Sequence, residues 1–216
     1  MKKLWVFGCS VSDLYNTETS KYYWSGEYLK WKGYVPKHYT EILADRLGYN
    51  LSNCAVSSTC NHQIFQDFCE SYNQIDENDF IIIQWTEPNR FRLVNDDNEW
   101  TTFVPHRSWV THNLKKITHF TLNSINEIFV NRLKNPYRKE IDSWSKLITS
   151  IIGEERILIW YPFDNIITNG RIVKSIETIK DETKGKIEDL HFSENGQIEL
   201  SNILLKIINK EKKEFI

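Results

Sequence analysis

The stretch KLWVFGCSVSD, residues 3–13, decides the fold. Its first five residues are an apolar run of strand-forming side chains, which predicts a buried β-strand. Small and polar residues follow at once, and Ser12 and Asp13 are candidate caps for a helix. A strand–turn–helix entry of this kind is typical of an open α/β sheet, where ligands and reactive groups collect at the carboxyl ends of the strands. Ser10 is therefore a candidate nucleophile, although ordinary turn residues have the same pattern.

Apolar runs and helical periodicity alternate along the rest of the chain. Further strands are predicted at 50–55, 80–85 and 156–161, with a short one near Ile172, and helices at 38–47, 63–72, 113–133, 137–152 and 194–208. Alternating strands and helices with long connections predict a parallel sheet between helical layers. Two aromatic-rich stretches, 14–36 and 90–112, lack periodicity and are predicted to be irregular insertions in a single domain of residues 1–216.

Composition excludes several classes of function. The chain has 27 Lys and Arg residues against 29 Asp and Glu, so it lacks the positive excess that nucleic-acid binding needs. No apolar stretch approaches the length of a membrane span, and the N-terminus does not read as a signal peptide, so we expect a cytoplasmic protein away from membranes. The four cysteines have no paired spacing, which favours reduced thiols over a zinc site. No metal or cofactor is predicted.

A second informative stretch, EDLHFSENG, covers residues 188–196 near the end of the chain. His191 precedes a candidate helix cap on a loop that we expect at the same edge of the sheet as Ser10. A serine nucleophile needs a base to take its proton and a carboxylate to hold that base in the right tautomer. Ser10 and His191, with Glu188 or Asp189, supply these three groups.

These two stretches resemble the SGNH (GDSL-type) hydrolases. FGCSVSD, residues 7–13, resembles their first block, Gly-Asp-Ser followed by a nearby Asp. DLHFSENG, residues 189–196, resembles their last block, Asp-x-x-His-Pro followed by a Gly in the final helix. The resemblance implies a three-layer α/β/α, flavodoxin-like fold and the hydrolysis of esters. It also implies that Ser10 is the nucleophile and His191 the base.

The acid departs from the family's pattern. The family's Asp lies three residues before the His, where this chain has Glu188, while Asp189 lies two residues before it. Glu is able to orient an imidazole, but its extra methylene changes the reach. Asp189 is favoured because an Asp two residues before the His can fold back to the imidazole Nδ1, and both acids remain candidates.

The oxyanion donors depart further. The family uses the N–H of the nucleophile, a Gly N–H in its second block and an Asn side chain in its third. NCAVSS, residues 53–58, resembles the second block with Ser58 at the Gly position. This replacement keeps a backbone N–H, but it requires that the loop avoid conformations that only Gly prefers. In the third block WTEPNR, residues 85–90, stands where Gly-x-Asn-Asp is expected.

Both departures look like a divergent, phage-associated branch of SGNH-like proteins, whose second block ends in an Asn and whose third begins Trp-Thr. By that comparison Asn61 takes the place of the missing oxyanion Asn, and Asn89 is the nearest alternative along the chain. Asn61 is equally a candidate helix N-cap. Arg90 is a candidate for binding a carboxylate or phosphate on the substrate, or for an ion pair with a neighbouring acid.

Three hypotheses about function follow from these residues. The first is a serine hydrolase that cleaves a carboxylic ester, an acyl or O-acetyl group, on a small molecule or a saccharide. The second is a catalytically impaired binding or structural module on the same fold, since two oxyanion positions are changed. The third is a nucleotide-binding, flavodoxin-like protein that carries a flavin. The oligomeric state is not predicted.

Overall fold

The computed structural model describes residues 1–14, 24–104, 107–117, 120–132, 135–161 and 193–214. The strands in these ranges are β1 (Lys3–Phe7), β2 (Asn50–Asn53), β3 (Phe80–Gln84), β4 (Phe91–Val94), β5 (Trp100–Phe103) and β6 (Ile157–Trp160). The helices are α1 (Trp24–Lys32), α2 (Tyr39–Leu47), α3 (Asn61–Ser71), α4 (Arg107–Leu114), α5 (Leu122–Arg132), α6 (Asn135–Ile152) and α7 (Glu194–Glu214). The strand predicted near Ile172 lies outside the described residues.

Four strands form a parallel sheet in the order β2-β1-β3-β6. Within it Leu4 of β1 lies opposite Leu51 on one side and Phe80 on the other, so the first strand is central. An order that runs 2-1-3 and continues with the next parallel strand is that of flavodoxin-like, doubly wound sheets. All four strands end at one edge of the sheet, and the turn that contains Ser10 follows β1 at that edge.

Helices cover both faces of this sheet, since successive side chains of a strand point to opposite sides. Leu4 and Val6 pack against α2 and α7 on one face, in a buried core that includes Leu43 and Leu204. Trp5 and Phe7 pack against α3 and α6 on the other face. The predicted α/β/α arrangement with a central parallel sheet is therefore confirmed for the described part of the chain.

The first insertion contains a helix, contrary to the irregular loop predicted for residues 14–36. Within α1 the fully buried ring of Tyr28 makes edge-on contacts with Trp31 and Tyr34, at 5.6 and 5.9 Å between ring centroids. The prediction fails because aromatic contacts stabilise this segment in place of a regular apolar stripe. Tyr34 Oη also donates to Glu194 Oε2 at 2.6 Å, which joins the insertion to the start of α7.

The second insertion, predicted as irregular over residues 90–112, forms the antiparallel hairpin β4–β5 and the start of α4. Phe91 lies opposite Phe103, and their stacked rings are 5.3 Å apart between centroids. Phe129 of α5 packs on the same pair and extends it into a small separate core. Cross-strand aromatic pairs of this kind stabilise a hairpin without a strict alternation in the sequence.

The helix boundaries show which local signals decided them. His38 caps α2: its side chain accepts from Thr40 N, and Glu41 accepts from His38 N at 2.8 Å, a reciprocal capping box. The helix predicted at 113–133 is instead two helices, α4 and α5, with a break between them. In the ranges described, no helix combines the length and the apolarity needed to cross a lipid bilayer.

Candidate active site

Ser10 lies in a tight turn directly after β1, half-buried at the carboxyl edge of the sheet. Cys9 O accepts from Ser12 N at 2.9 Å and from Asp13 N at 3.0 Å, and these two bonds close the turn. The sequence predicts Ser10 at the carboxyl edge of the sheet, where ligands of doubly wound sheets collect, and Ser10 lies there; its role as nucleophile stays a prediction.

The turn is locked to the neighbouring strand by Gln84, the fully buried last residue of β3. Cys9 N donates to Gln84 Oε1 at 3.0 Å, and Gln84 Nε2 donates to Cys9 Sγ at 3.2 Å. A Cβ on Gly8 would lie 2.7 Å from Gln84 Oε1 and 3.0 Å from Ser12 Cβ. Gly8 is therefore required for close approach, and the amide of Gln84 is a supporting group that the sequence patterns do not reveal.

Polar side chains from α2, its N-cap and β2 contact the other residues of the turn. His38 Nε2 lies 3.0 Å from Val11 O, and since a carbonyl only accepts, this nitrogen carries the proton. Ser12 Oγ and Tyr39 Oη are 2.5 Å apart, and burial raises the pKa of Tyr39 far above its ordinary value, so the phenol stays neutral. Asn53 Nδ2 donates to Ser12 O at 2.7 Å. Satisfied buried networks of this kind make a structure rigid.

The second-block loop is joined to the Ser10 turn through Asp13, whose Oδ2 accepts from Ser57 N at 2.9 Å. The next residue, Ser58, has φ of 62° and so lies in the left-handed region. The sequence predicts that this loop avoids conformations that Gly prefers, and that prediction is wrong. Strained backbone of this kind persists where the surrounding structure requires it, which here includes the bond at Ser57.

Replacing Ser58 with glycine is expected to raise the free energy of unfolding by roughly 0.5–1 kcal/mol. A left-handed non-Gly residue costs about 1–2 kcal/mol, and the greater freedom of Gly in the unfolded chain offsets part of the gain. The matched control is Ser57→Gly, because Ser57 lacks a positive φ and only the unfavourable part applies. Urea unfolding of both variants measures the difference, and equal destabilisation by the two changes contradicts the expectation.

Asn61, the first candidate for the missing oxyanion amide, is 2% exposed and bonded to the third-block loop. Its Oδ1 accepts from Thr86 N at 2.7 Å, and its Nδ2 donates to Thr86 O at 3.0 Å. The helix N-cap is Cys60, so the alternative prediction that Asn61 caps α3 is wrong, because its side chain turns to Thr86. The amide joins the second and third blocks, and its oxyanion role stays a prediction.

The third-block loop forms a turn in which Arg90 N donates to Glu87 O at 3.2 Å. Arg90 is 9% exposed, and its Nε donates to Glu87 Oε2 at 2.9 Å. This is the ion pair that the sequence offered as the alternative to substrate binding. Asn89 lies in the same turn, and its buried Oδ1 has no hydrogen-bond partner among the described residues.

The described part of the last motif begins at Ser193, since Glu188, Asp189 and His191 lie outside the described residues. Gly196 N donates to Ser193 Oγ at 3.2 Å, which confirms the predicted helix cap. One turn further along α7, Gln197 Oε1 accepts from Tyr39 N at 2.8 Å. Because Tyr39 Oη contacts Ser12, the start of the last helix is bonded to the residue that supports the Ser10 turn.

The structure therefore brings together the first three predicted blocks and the described end of the last one. Ser10 and Ser58 lie in loops joined by the Asp13–Ser57 bond. Helix α7 is hydrogen-bonded to the start of α2 through Gln197. Such an arrangement is suited to a reaction that needs a nucleophile and backbone N–H groups at one sheet edge. No cluster of three or more His, Cys, Asp and Glu side chains within the described ranges is placed to hold a metal ion.

Comparison with known proteins finds similarity only among solved structures. No protein-family profile matches the chain, and no curated protein matches it. A catalytic mutant of Axe2, an acetylxylan esterase from Geobacillus stearothermophilus, is 13% identical, with 96% of this chain and 94% of that chain covered and a TM-score of 0.36. A second mutant of Axe2, described as an acetyl-xylooligosaccharide esterase, matches at 13% identity, with the same coverage and a TM-score of 0.35. Because both TM-scores are below 0.5, the fold is assigned from the strand order β2-β1-β3-β6 of the chain itself.

Proposed function

We propose that this protein is an SGNH-like serine hydrolase that cleaves a carboxylic ester, an acyl or O-acetyl group on a small molecule or a saccharide. Ser10 attacks the ester carbonyl, His191 takes the serine proton and returns it to the leaving alcohol, and Asp189 or Glu188 orients the imidazole. Water then releases the acyl group from Ser10 by the same acid–base steps.

The observation that carries the proposal is the bond chain from the nucleophile turn to the last helix. Ser12 Oγ contacts Tyr39 Oη, and Tyr39 N donates to Gln197 of α7. Ser193, the cap of that helix, is only two residues from the proposed base, a span of at most about 7 Å in an extended chain. This linkage supports the pairing of two motifs that are 181 positions apart (191 − 10).

The oxyanion is proposed to be stabilised by the backbone N–H groups of Ser10 and Ser58 and by one Asn amide. Asn89 and Asn61 remain the two candidates for that amide. Asn61 Nδ2 donates to Thr86 O at 3.0 Å and to Glu87 O at 3.5 Å, so the amide must give up at least one of these two bonds before it can act on the oxyanion. Losing one oxyanion donor typically costs about 3 kcal/mol in the transition state, so a slow esterase is expected if neither amide contributes.

A fluorophosphonate probe tests the nucleophile directly. Attack by Ser10 Oγ on phosphorus forms a Ser–phosphonate ester and expels fluoride, so the intact mass rises by that of the probe minus hydrogen fluoride. Peptide mapping is expected to find the adduct on Ser10, and the label should be absent from Ser10→Ala. Ser143→Ala, an exposed serine on α6, is the matched control and should label as the wild type does. A label that survives Ser10→Ala contradicts the proposal.

A non-catalytic binding module is the second candidate, and the engaged amide of Asn61 favours it. Such a module fits the proposed phage-associated branch, in which the chain serves a larger assembly. It predicts that the wild type neither takes up the probe nor hydrolyses esters. Labelling of Ser10 contradicts it.

A further inference from the structure

Arg90, which the sequence offered as an anion-binding residue, is already paired in the third-block loop. Its Nε donates to Glu87 Oε2, and only 9% of the residue is exposed. A guanidinium neutralised by its own neighbour and removed from solvent is unavailable to a substrate anion. If the site recognises an anion, another cation must do so.

Arg132, the last residue of α5, reaches the same loop from forty-two positions further along the chain (132 − 90). Its Nε donates to Pro88 O at 3.3 Å, two residues before Arg90. Its guanidinium carbon lies 4.2 Å from the ring centroid of Tyr137, a cation–π contact that orients the plane of the group. No carboxylate of the described residues forms an ion pair with Arg132.

The geometry of Arg132 suits a planar carboxylate. Nε and the Tyr137 ring hold the side chain, while Nη1 and Nη2 make no hydrogen bond with any residue in the part of the chain that the structure describes. Two parallel N–H groups of a guanidinium match the two oxygens of a carboxylate, and the resulting bonds are charge-assisted. Holding the fork in place beforehand reduces the entropy lost on binding.

Arg132 and Arg92 both lie close enough to His62 to affect its charge. Burial lowers the pKa of His62 most, Glu140 acts to raise it, and the positive charges of Arg132 and Arg92 act to lower it. His62 lies in the first turn of α3, which contains no acidic residue and whose N-terminus adds partial positive charge. Two acids face this region: Glu140, with Oε1 3.8 Å from His62 Nε2, and Glu87, which is paired with Arg90.

This region lies at the edge of the sheet where the proposed nucleophile lies. The loop that Arg132 contacts follows β3, and β3 pairs directly with β1, whose end carries Ser10. The loop after β3 is therefore one strand away from an ester whose carbonyl is held at the end of β1.

We propose that Arg132 is a specificity-determining residue that binds a carboxylate on the substrate, so that the esters cleaved best are anionic. This inference rests on the proposed esterase function and names the substrate class of that site. Hydrolysis of such an ester gives the free acid of the acyl group and an alcohol that still carries the carboxylate.

Paired substrates that differ in one charge test the proposal. 4-Acetoxybenzoate and its methyl ester carry the same acetyl group at the same ring position, only the first is anionic, and the rate measured for both is the release of acetate. The wild type is expected to have the higher kcat/KM for 4-acetoxybenzoate. Arg132→Gln is expected to lower the ratio of the two kcat/KM values roughly 10- to 100-fold, the range for loss of charge-assisted hydrogen bonds.

Two further variants control for charge and for folding. Arg138→Gln removes the same charge from an exposed position on α6 and should leave the ratio within about twofold of the wild type, since exposed charges are screened. Arg132→Lys keeps the charge but loses the two-pronged fork, and it carries the test if Arg132→Gln does not fold. A ratio unchanged in both Arg132 variants, or a wild type that prefers the methyl ester, overturns the proposal.

Calorimetric binding of 4-hydroxybenzoate, the product of that reaction, separates this inference from the esterase proposal. Binding to Ser10→Ala is expected to weaken at least about tenfold when Arg132→Gln is added. If the wild type hydrolyses neither ester but the two Ser10→Ala proteins show this loss of binding, the esterase function fails and the carboxylate site stands. If both Ser10→Ala proteins bind equally, or neither binds, the carboxylate site is overturned.

Discussion

Ser10→Ala is expected to reduce kcat for p-nitrophenyl acetate and butyrate by about a thousand-fold or more. In Ser-His-acid hydrolases the alcohol is activated by the imidazole and forms the acyl-enzyme, and removal of either group leaves only the contribution of binding and the oxyanion donors. Ser10 has the location for this role, half-buried in the turn at the carboxyl edge of the sheet. Initial-rate measurements over a range of substrate concentrations give kcat and KM separately.

The same kinetics distinguish the two candidate functions. Ser143→Ala on α6 serves as the control for preparation and folding, and it should retain the wild-type kcat within about twofold, as expected for an exposed substitution. Turnover that is equal in the wild type and Ser10→Ala excludes Ser10 as the nucleophile. Turnover that is absent from both favours the binding module.

Gly8→Ala is expected to lower the free energy of unfolding by about 3 kcal/mol. The new Cβ would lie 2.7 Å from Gln84 Oε1 and 3.0 Å from Gln84 Cβ, and Gln84 has no room to move because it is fully buried. Overpacking of this kind costs about 1–3 kcal/mol, and displacing Gln84 from Cys9 leaves buried polar groups unpaired at a similar cost. Chemical denaturation measures the loss.

A second substitution identifies the cause of that loss. Gln84→Ala removes the Oε1 that the new Cβ would meet at 2.7 Å and keeps only the Gln84 Cβ contact at 3.0 Å, so the double variant should be less destabilised than the sum of the two single variants. Simple additivity would show that Gly8→Ala acts through some other contact. Catalytic activity should fall with Gly8→Ala as well, because the displaced turn carries the Ser10 N–H and hydroxyl.

The elements that the sequence predicted well are those whose signal is local. From Leu4 to Phe7 the side chains that point to each face of the strand are apolar, which marks a central strand covered on two sides. This run is observed within β1. His38 and Gly48 bound a helix through caps and a left-handed C-terminal residue, and the helix spans Tyr39–Leu47 as expected. Turn residues after the first strand likewise located Ser10.

The two insertions were predicted poorly because the aromatic contacts that stabilise them do not recur at a regular spacing in the sequence. Phe91 and Phe103 are stacked across a hairpin, yet twelve positions separate them (103 − 91), and the intervening residues do not alternate. Tyr28 is fully buried, with edge-on contacts to Trp31 and Tyr34 and its hydroxyl accepting from Glu194 N at the start of α7. Averaging hydrophobicity over a stretch of sequence detects neither arrangement, since both depend on how the aromatic rings are oriented to each other.

By itself, the sequence determined the central strand, the turn with Ser10 and the alternation that builds a parallel sheet. Only the tertiary structure decided how the polar groups pair: Gln84 with Cys9, Asn61 with Thr86, and Arg90 with Glu87. The reason is physical. Burial of apolar side chains follows a local period that can be read along the chain, whereas a buried hydrogen bond depends on which distant group the fold brings within about 3 Å.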